Sequence, residues 1–140
     1  MDANKEFVRR YIELYNSGNL AIADEIIAPD FVDHMHPECE PGPAAVKRMV
    51  TDFRAAFPDA TGTVQEMIAE RDMVAFRFVL RGTHSGPAHF AGLPPSRREI
   101  TLVGMDFVRI AGQKLVELWS CQDTLGLLRQ LGAIAPGGQQ

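Results

Sequence analysis

Met73-Val74-Ala75-Phe76-Arg77-Phe78-Val79-Leu80-Arg81-Gly82-Thr83 changes character at every second residue. Val74, Phe76, Phe78 and Leu80 fall on one side, Arg77 and Arg81 on the other. Successive side chains of a strand point to opposite faces, so this stretch predicts a long strand with one buried face. Two further strands are predicted over Glu99–Ile110 and Lys114–Gln122, joined by the hairpin signal Ala111-Gly112-Gln113. Thr63–Ala69, before the turn Glu70-Arg71-Asp72, reads as a partner on the other side. A loop rich in Gly and Pro runs from Ser85 to Ser96. Val103, Met105 and Phe107 share one face of their strand and Leu102, Val108 and Ile110 the other. A sheet apolar on both faces implies a deep pocket, a partner subunit or both.

Upstream the period becomes helical. Phe7, Tyr11 and Leu14 predict a helix over Ala3–Asn16, stopped by Gly18. Asn19 is placed to cap a second helix, Leu20–Ile27, which Pro29 ends. Phe31–His36 reads as a short strand and Pro37–Pro43 as a loop. Val46, Met49, Val50, Phe53 and Phe57 mark a third helix over Ala44–Phe57. Leu125, Leu127, Leu128 and Leu131 suggest a short last helix ending at Gly132. Helices followed by a run of strands is an α+β order. The expected architecture is three N-terminal helices packed on a strongly curved antiparallel sheet enclosing a pocket. One domain spans 1–140, with a core of about residues 5–132 and 133–140 as a flexible tail.

Composition narrows the function classes. The chain has 140 residues, 46% hydrophobic and 23% charged, as in an ordinary globular domain. The 14 Lys and Arg against 18 Asp and Glu give a net charge of −4, with no basic stripe for nucleic acid. No apolar run reaches the ~20 residues of a membrane span, and the N-terminus lacks signal-peptide character. The expected compartment is the cytoplasm. Cys39 and Cys121 form no CxxC motif and read as reduced thiols. There is no P-loop, dinucleotide fingerprint or nucleophile elbow.

The titratable candidates are Asp33, His34, His36, His84, His89, Asp106 and Asp123. Asp123 follows Trp119 and Cys121 at period two. It is either a general base beside an apolar cavity or the N-cap of the last helix. His84 continues the parity of Phe76, Phe78 and Leu80, as a core residue or as an imidazole facing the pocket. Asp106 lies between Met105 and Phe107 and must be paired with Arg77 or Arg81, protonated, or lining the pocket. Phe76 and Met105 are apolar candidates for that lining. His34 and His36 have a spacing that can bind metal, but no third ligand is identifiable.

Several strings occur together in a fixed order. They are Asn16-Ser17-Gly18-Asn19-Leu20, Ala28-Pro29-Asp30-Phe31-Val32-Asp33-His34, Gly82-Thr83-His84-Ser85-Gly86, Gly92-Leu93-Pro94-Pro95, Glu117-Leu118-Trp119, Asp123, and Leu127-Leu128-Arg129-Gln130-Leu131-Gly132. As a set they resemble the SnoaL-like polyketide (ester) cyclase family of the nuclear transport factor 2-like superfamily. The Gly86–Gly92 stretch is slightly longer than is usual there, and Ser96-Arg97 stands where the family often has Thr-Gly. The resemblance implies a cone-shaped α+β barrel. It also implies cofactor-independent ring closure by intramolecular aldol condensation, with no metal. By motif position Asp123 would be the acid/base and His84 would line the pocket, with His34 and Trp119 nearby; the expected catalytic pair is Asp123, moving the proton, and His84, polarising the carbonyl. Alternatives are a non-catalytic small-molecule binder of the same fold, or a related hydroxylase or isomerase. The expected partners are a hydrophobic small-molecule substrate and a second copy of the chain, as a homodimer or homotetramer.

Overall fold

The computed structural model describes residues 2–134. The elements run α1 (Asp2–Ser17), α2 (Ala21–Ile26), β1 (Ile27–Asp33), α3 (Pro43–Ala56), β2 (Thr61–Glu70), β3 (Met73–Thr83), β4 (Glu99–Ala111), β5 (Lys114–Gln122) and α4 (Thr124–Gln130). They form one five-stranded sheet in the order β1-β5-β4-β3-β2. The predicted strands are present, and β3 and β5 have the predicted bounds. The first strand differs: it begins at Ile27, directly after α2, rather than at Phe31. It also pairs parallel to β5, so the sheet is antiparallel except at this edge. The predicted tail lies mostly outside the described residues. Among those residues no helix is long and apolar enough to cross a membrane.

The helices cover the concave face. Val8, Tyr11 and Leu14 of α1 and Val46 and Val50 of α3 are buried against Val74, Phe76, Phe78, Val108, Leu115 and Leu118 of the sheet. Asn16 fixes the end of α1 to β2: its amide donates to the Gly62 carbonyl at 3.0 Å and accepts from the Gly62 amide at 2.7 Å. Arg54 of α3 closes the same corner by donating to the carbonyls of Tyr15 and Ala60, each at 3.0 Å. Two polar side chains thereby set how α1 lies over the sheet.

Three register shifts curve the strands. Opposite the step from Arg109 to Ile110, β5 advances two residues, so Val116 is an extra residue. Opposite Phe78 and Arg77, Gln65 is extra in β2. The β1–β5 pairing jumps from Ile27↔Leu115 to Val32↔Glu117, across Pro29, which has no amide to donate. A bulge bends its strand and raises the local twist.

A second apolar cluster closes the other end: Ala56, Phe57 and Ala60 meet Ile100, Leu102, Leu127 and Leu131, with Phe53 and Phe90 beside them. The loop after β3 is tied to α3 where the Gly86 amide donates to the Ala56 carbonyl at 3.1 Å. A Cβ on Gly86 would lie 1.9 Å from the carbonyl oxygen of Ala55, so only glycine fits this approach. Gly86→Ala is expected to destabilise the protein by about 2–4 kcal/mol, as an overpacking change against rigid backbone. Urea denaturation of the two proteins measures it.

Candidate active site

The extra residue in β5 decides which side chains face inward. Leu115 and Leu118 are both buried, three apart rather than two. Beyond the bulge Leu118, Ser120 and Gln122 point to the concave side and Trp119 and Cys121 to the convex side. On β4 the buried positions are Ile100, Leu102, Gly104, Asp106, Val108 and Ile110. Cross-strand pairing then places Asp106 between two inward residues, Phe76 of β3 and Ser120 of β5.

Asp106 is 6% exposed, and its Oδ1 has no hydrogen-bond partner among the described residues. Burial pushes its carboxyl up to about 6; the Ser120 hydroxyl, as a hydrogen-bond donor, works against that rise, and the nearby charge of Asp33 adds to it. Asp33 is the last residue of β1 and stands opposite Leu118. Its Oδ1 accepts from the amide of Met35 at 2.9 Å. The phenols of Tyr11 and Tyr15, one turn apart on α1, complete the group. Their rings meet edge-on with centroids 5.5 Å apart. Both phenols are raised first by burial, Tyr15 to about 12, and the charges of Asp33 and Asp106 add to the effect. Both therefore keep their protons at neutral pH and remain hydrogen-bond donors.

Asp33 also lines a pocket of about 200 Å³ between the end of β1, the loop before α3 and the start of α3. Phe31, Ala45, Val46 and Met49 form its apolar wall, and His36, Cys39 and Glu40 its rim. The expected deep cavity behind the sheet is otherwise filled by side chains of the first cluster.

The expected site residues separate. Asp106 and Phe76 are inside, opposite each other. Asp123 is exposed and caps α4, its Oδ1 accepting from the Gly126 amide at 2.9 Å. Its expected sheltered place beside Trp119 is not found, because β5 ends at Gln122 and α4 begins at Thr124. Met105 is 64% exposed on the convex face, and Trp119 is half-buried there opposite Phe107. His34 lies on that same face, stacked on Trp119 with centroids 4.7 Å apart and its Nε2 2.9 Å from Glu117. The reason is one of parity: simple alternation from Leu115 puts Trp119 inward, and the bulge at Val116 reverses it. Neither arginine pairs with Asp106. Arg77 is on the opposite face, donating to Glu66 at 2.9 Å.

His84 is fully buried, but in the second cluster, packed against Phe57 with centroids 5.1 Å apart. Its Nε2 lies 3.1 Å from the Ala88 carbonyl, which can only accept, so Nε2 carries the proton. Its backbone pairs with Arg97 and Arg98. His84 thus holds the loop after β3 to itself. Among the described residues no three His, Cys, Asp or Glu side chains form a group that could hold a metal ion.

An inward Asp flanked by an aromatic ring and a hydroxyl, under two phenols, sits inside an open cone. The profile of the SnoaL-like polyketide cyclase family matches residues 5–131. The chain belongs to that family. Aklanonic acid methyl ester cyclase DauD from Streptomyces sp. (strain C5) is 30% identical over 139 residues, covering 94% of this chain and 83% of DauD. Among solved structures, IdmH from Streptomyces antibioticus shares 34% identity with a TM-score of 0.77 over 92% of this chain and 98% of IdmH. TsrD from Streptomyces laurentii is closer in shape, with a TM-score of 0.88 over 96% of this chain and 98% of TsrD; at 24% identity that likeness concerns the fold. The fold is the nuclear transport factor 2-like one, with the sheet left unclosed.

In this SnoaL-like chain the residues that alternation missed are Ser120, Tyr11 and Tyr15. Two tyrosines at i, i+4 on the apolar face of α1 were a visible signal: a phenol among core residues brings a polar group inside. Ser120 carried none until the bulge fixed its side.

A carboxyl raised from 3.8 to about 6 resists ionisation by roughly 3 kcal/mol. Since the folded value is the higher one, the native state holds the proton more tightly, and stability is lost as pH rises from about 4 to 6. Asp106→Asn should therefore melt several degrees above the parent protein at pH 7.5 and lose that advantage at pH 4. Calorimetric scans at the two pH values test this; equal melting temperatures at pH 7.5 would mean the carboxyl is not desolvated.

Proposed function

We propose that this protein is a cyclase that closes a ring by intramolecular aldol condensation on a polyketide ester, with Asp106 as its acid/base. The carrying observation is the buried carboxyl with an unpartnered oxygen, raised toward neutrality and felt by Asp33, which lines the pocket. The family match and the relatives named as aklanonic acid methyl ester cyclases support the reaction class. In the proposed step the Asp106 carboxylate takes a proton from a carbon beside a carbonyl. The enolate carbon then bonds to a second carbonyl carbon, whose oxygen becomes an alkoxide. Protonated Asp106 returns the proton to that oxygen, so the product is an isomer of the substrate. Tyr11 and Tyr15, protonated throughout, are the donors for the developing oxyanions. A base with a value near the working pH is the efficient one, and such assistance is typically worth ~10²–10⁴-fold.

A non-catalytic carrier would leave no free carboxyl facing the interior; Asp123 is exposed and capping, whereas Asp106 Oδ1 is buried without a partner among the described residues. The experiment is incubation with aklanonic acid methyl ester, following the isomeric product by chromatography. Turnover is expected to rise with pH through about 6, as Asp106 ionises. Asp106→Asn should lower it at least 100-fold, and Asp123→Asn should leave it within a few-fold wherever the helix stays folded. Full activity in Asp106→Asn would overturn the role, and no turnover by the parent protein would overturn the substrate.

The convex face supports a homodimer. Val103, Met105 and Phe107 on β4 and Ile68 on β2 are 44%, 64%, 54% and 72% exposed. They form one apolar patch with Ala75 and Trp119, bordered by the Arg77–Glu66 and Arg109–Asp72 ion pairs. Contiguous apolar surface of this kind marks an interface, and a two-fold pairing would set the patch on its own copy. The parent protein is expected to elute as a dimer and Phe107→Glu as a monomer, with helical circular dichroism unchanged.

A further inference from the structure

The cyclase reading leaves open what positions the Asp106 carboxyl, whose Oδ1 has no partner among the described residues. The inward side of β5 supplies a row of polar residues here that core packing does not require. Ser120 is the direct cross-strand partner of Asp106, and Gln122, two residues on, is the partner of Gly104. Gly104 has no side chain, and the space is used: a Cβ there would lie 2.7 Å from the Phe78 ring and 3.1 Å from Cγ of Gln122. Gln122 folds back across this gap, and its Nε2 donates to Oγ of Ser120 at 3.2 Å. A hydroxyl that accepts from Gln122 has its own proton left to donate. The group facing it across the strand pair is the Asp106 carboxylate.

We propose that Ser120, oriented by Gln122, is the positioning residue for Asp106: it holds one carboxylate oxygen by donation and leaves Oδ1 to act on substrate. The relay runs from the Gln122 amide to the Ser120 hydroxyl to the carboxylate, each group donating to the next. It stabilises the ionised form, the form that must be present for proton abstraction, and so opposes the burial that would otherwise keep the carboxyl protonated. Gly104 belongs to the device, because the space above it admits Gln122.

This inference rests on the cyclase reading only for what the carboxylate does; its own test needs no substrate. The side-chain carboxyl carbons of full-length protein labelled at Asp are followed by ¹³C NMR through a pH titration. In Ser120→Ala the Asp106 midpoint should move up by about one pH unit, as for loss of one hydrogen bond to a charged group. Ser120→Thr, which keeps the hydroxyl, should restore the parent midpoint, and Gln122→Ala should move it up by a smaller amount. Where the chromatographic assay above shows turnover, the acid limb of its pH profile should shift by the same interval in Ser120→Ala. An unmoved midpoint in Ser120→Ala, or a raised one in Ser120→Thr with unchanged melting temperature, overturns the positioning role. A parent midpoint in the ordinary carboxylate range overturns the cyclase assignment of Asp106 instead, so the two failures are distinct.

Discussion

One extra residue in one strand governs the chemistry of this fold. Val116 stands where β5 advances two positions against one step of β4, and everything C-terminal to it in that strand is turned over. The turn brings Leu118 onto the core, Ser120 beside Asp106 and Gln122 over Gly104. It sends Trp119 and Cys121 outward, onto the face carrying Met105 and Phe107. A strand has two sides, and a single insertion exchanges them completely. Which β5 side chains join the inner surface beside Asp106, and which join the outer apolar one, is assigned by that residue.

Inside, the same packing that stabilises the protein creates an unfavourable charge. Phe76, Phe78, Val108 and Leu118 exclude water from the concave face and leave a carboxyl among them. The carboxyl is not neutralised by a cation; Arg77 and Arg109 are both committed to acidic partners on the convex side. What offsets the desolvation is a hydroxyl and an orientation rather than an ion pair. Such a group is tuned toward neutral pH instead of being locked in one form. The helices contribute less by covering the sheet than by bringing two phenols to the acid, which is why Asn16 and Arg54 fasten α1 at the end nearest Tyr15.

Much of the fold was legible because its signals are local. Strict alternation in residues 73–83, the Gly112 hairpin and the helical spacing of Phe7, Tyr11 and Leu14 each act within a dozen residues. The parallel edge was not, since β1 pairs with β5 across most of the chain and its own alternation is broken at Pro29. Of the proposed site, Asp106 was legible as a charge in an apolar strand. Trp119 lies on the convex face because period two was carried through a bulge, and Asp123 is exposed because β5 ends at Gln122 and α4 begins at Thr124. The alternative reading of Asp123 as a helix cap was equally visible, because Asp before Thr-Leu-Gly has its own local physics. The side of His84 was readable but not its neighbours, which come from α3 and from the loop it anchors.

The parallel pairing of β1 has a bearing on how the protein comes to be made. Ile27 must wait for Leu115, and Asp33 for Leu118, so this edge is the most non-local strand pairing in the sheet. Such pairings form slowly, because a long loop must close before they stabilise anything. On a ribosome, α1, α2 and the first strand emerge long before the strand they join. The pocket wall at Asp33 and the inward row of Ser120 and Gln122 are therefore completed together, only once β5 has been made. A chain truncated before β5 could retain the β2–β3–β4 meander and still lack both the edge and the acid's partner.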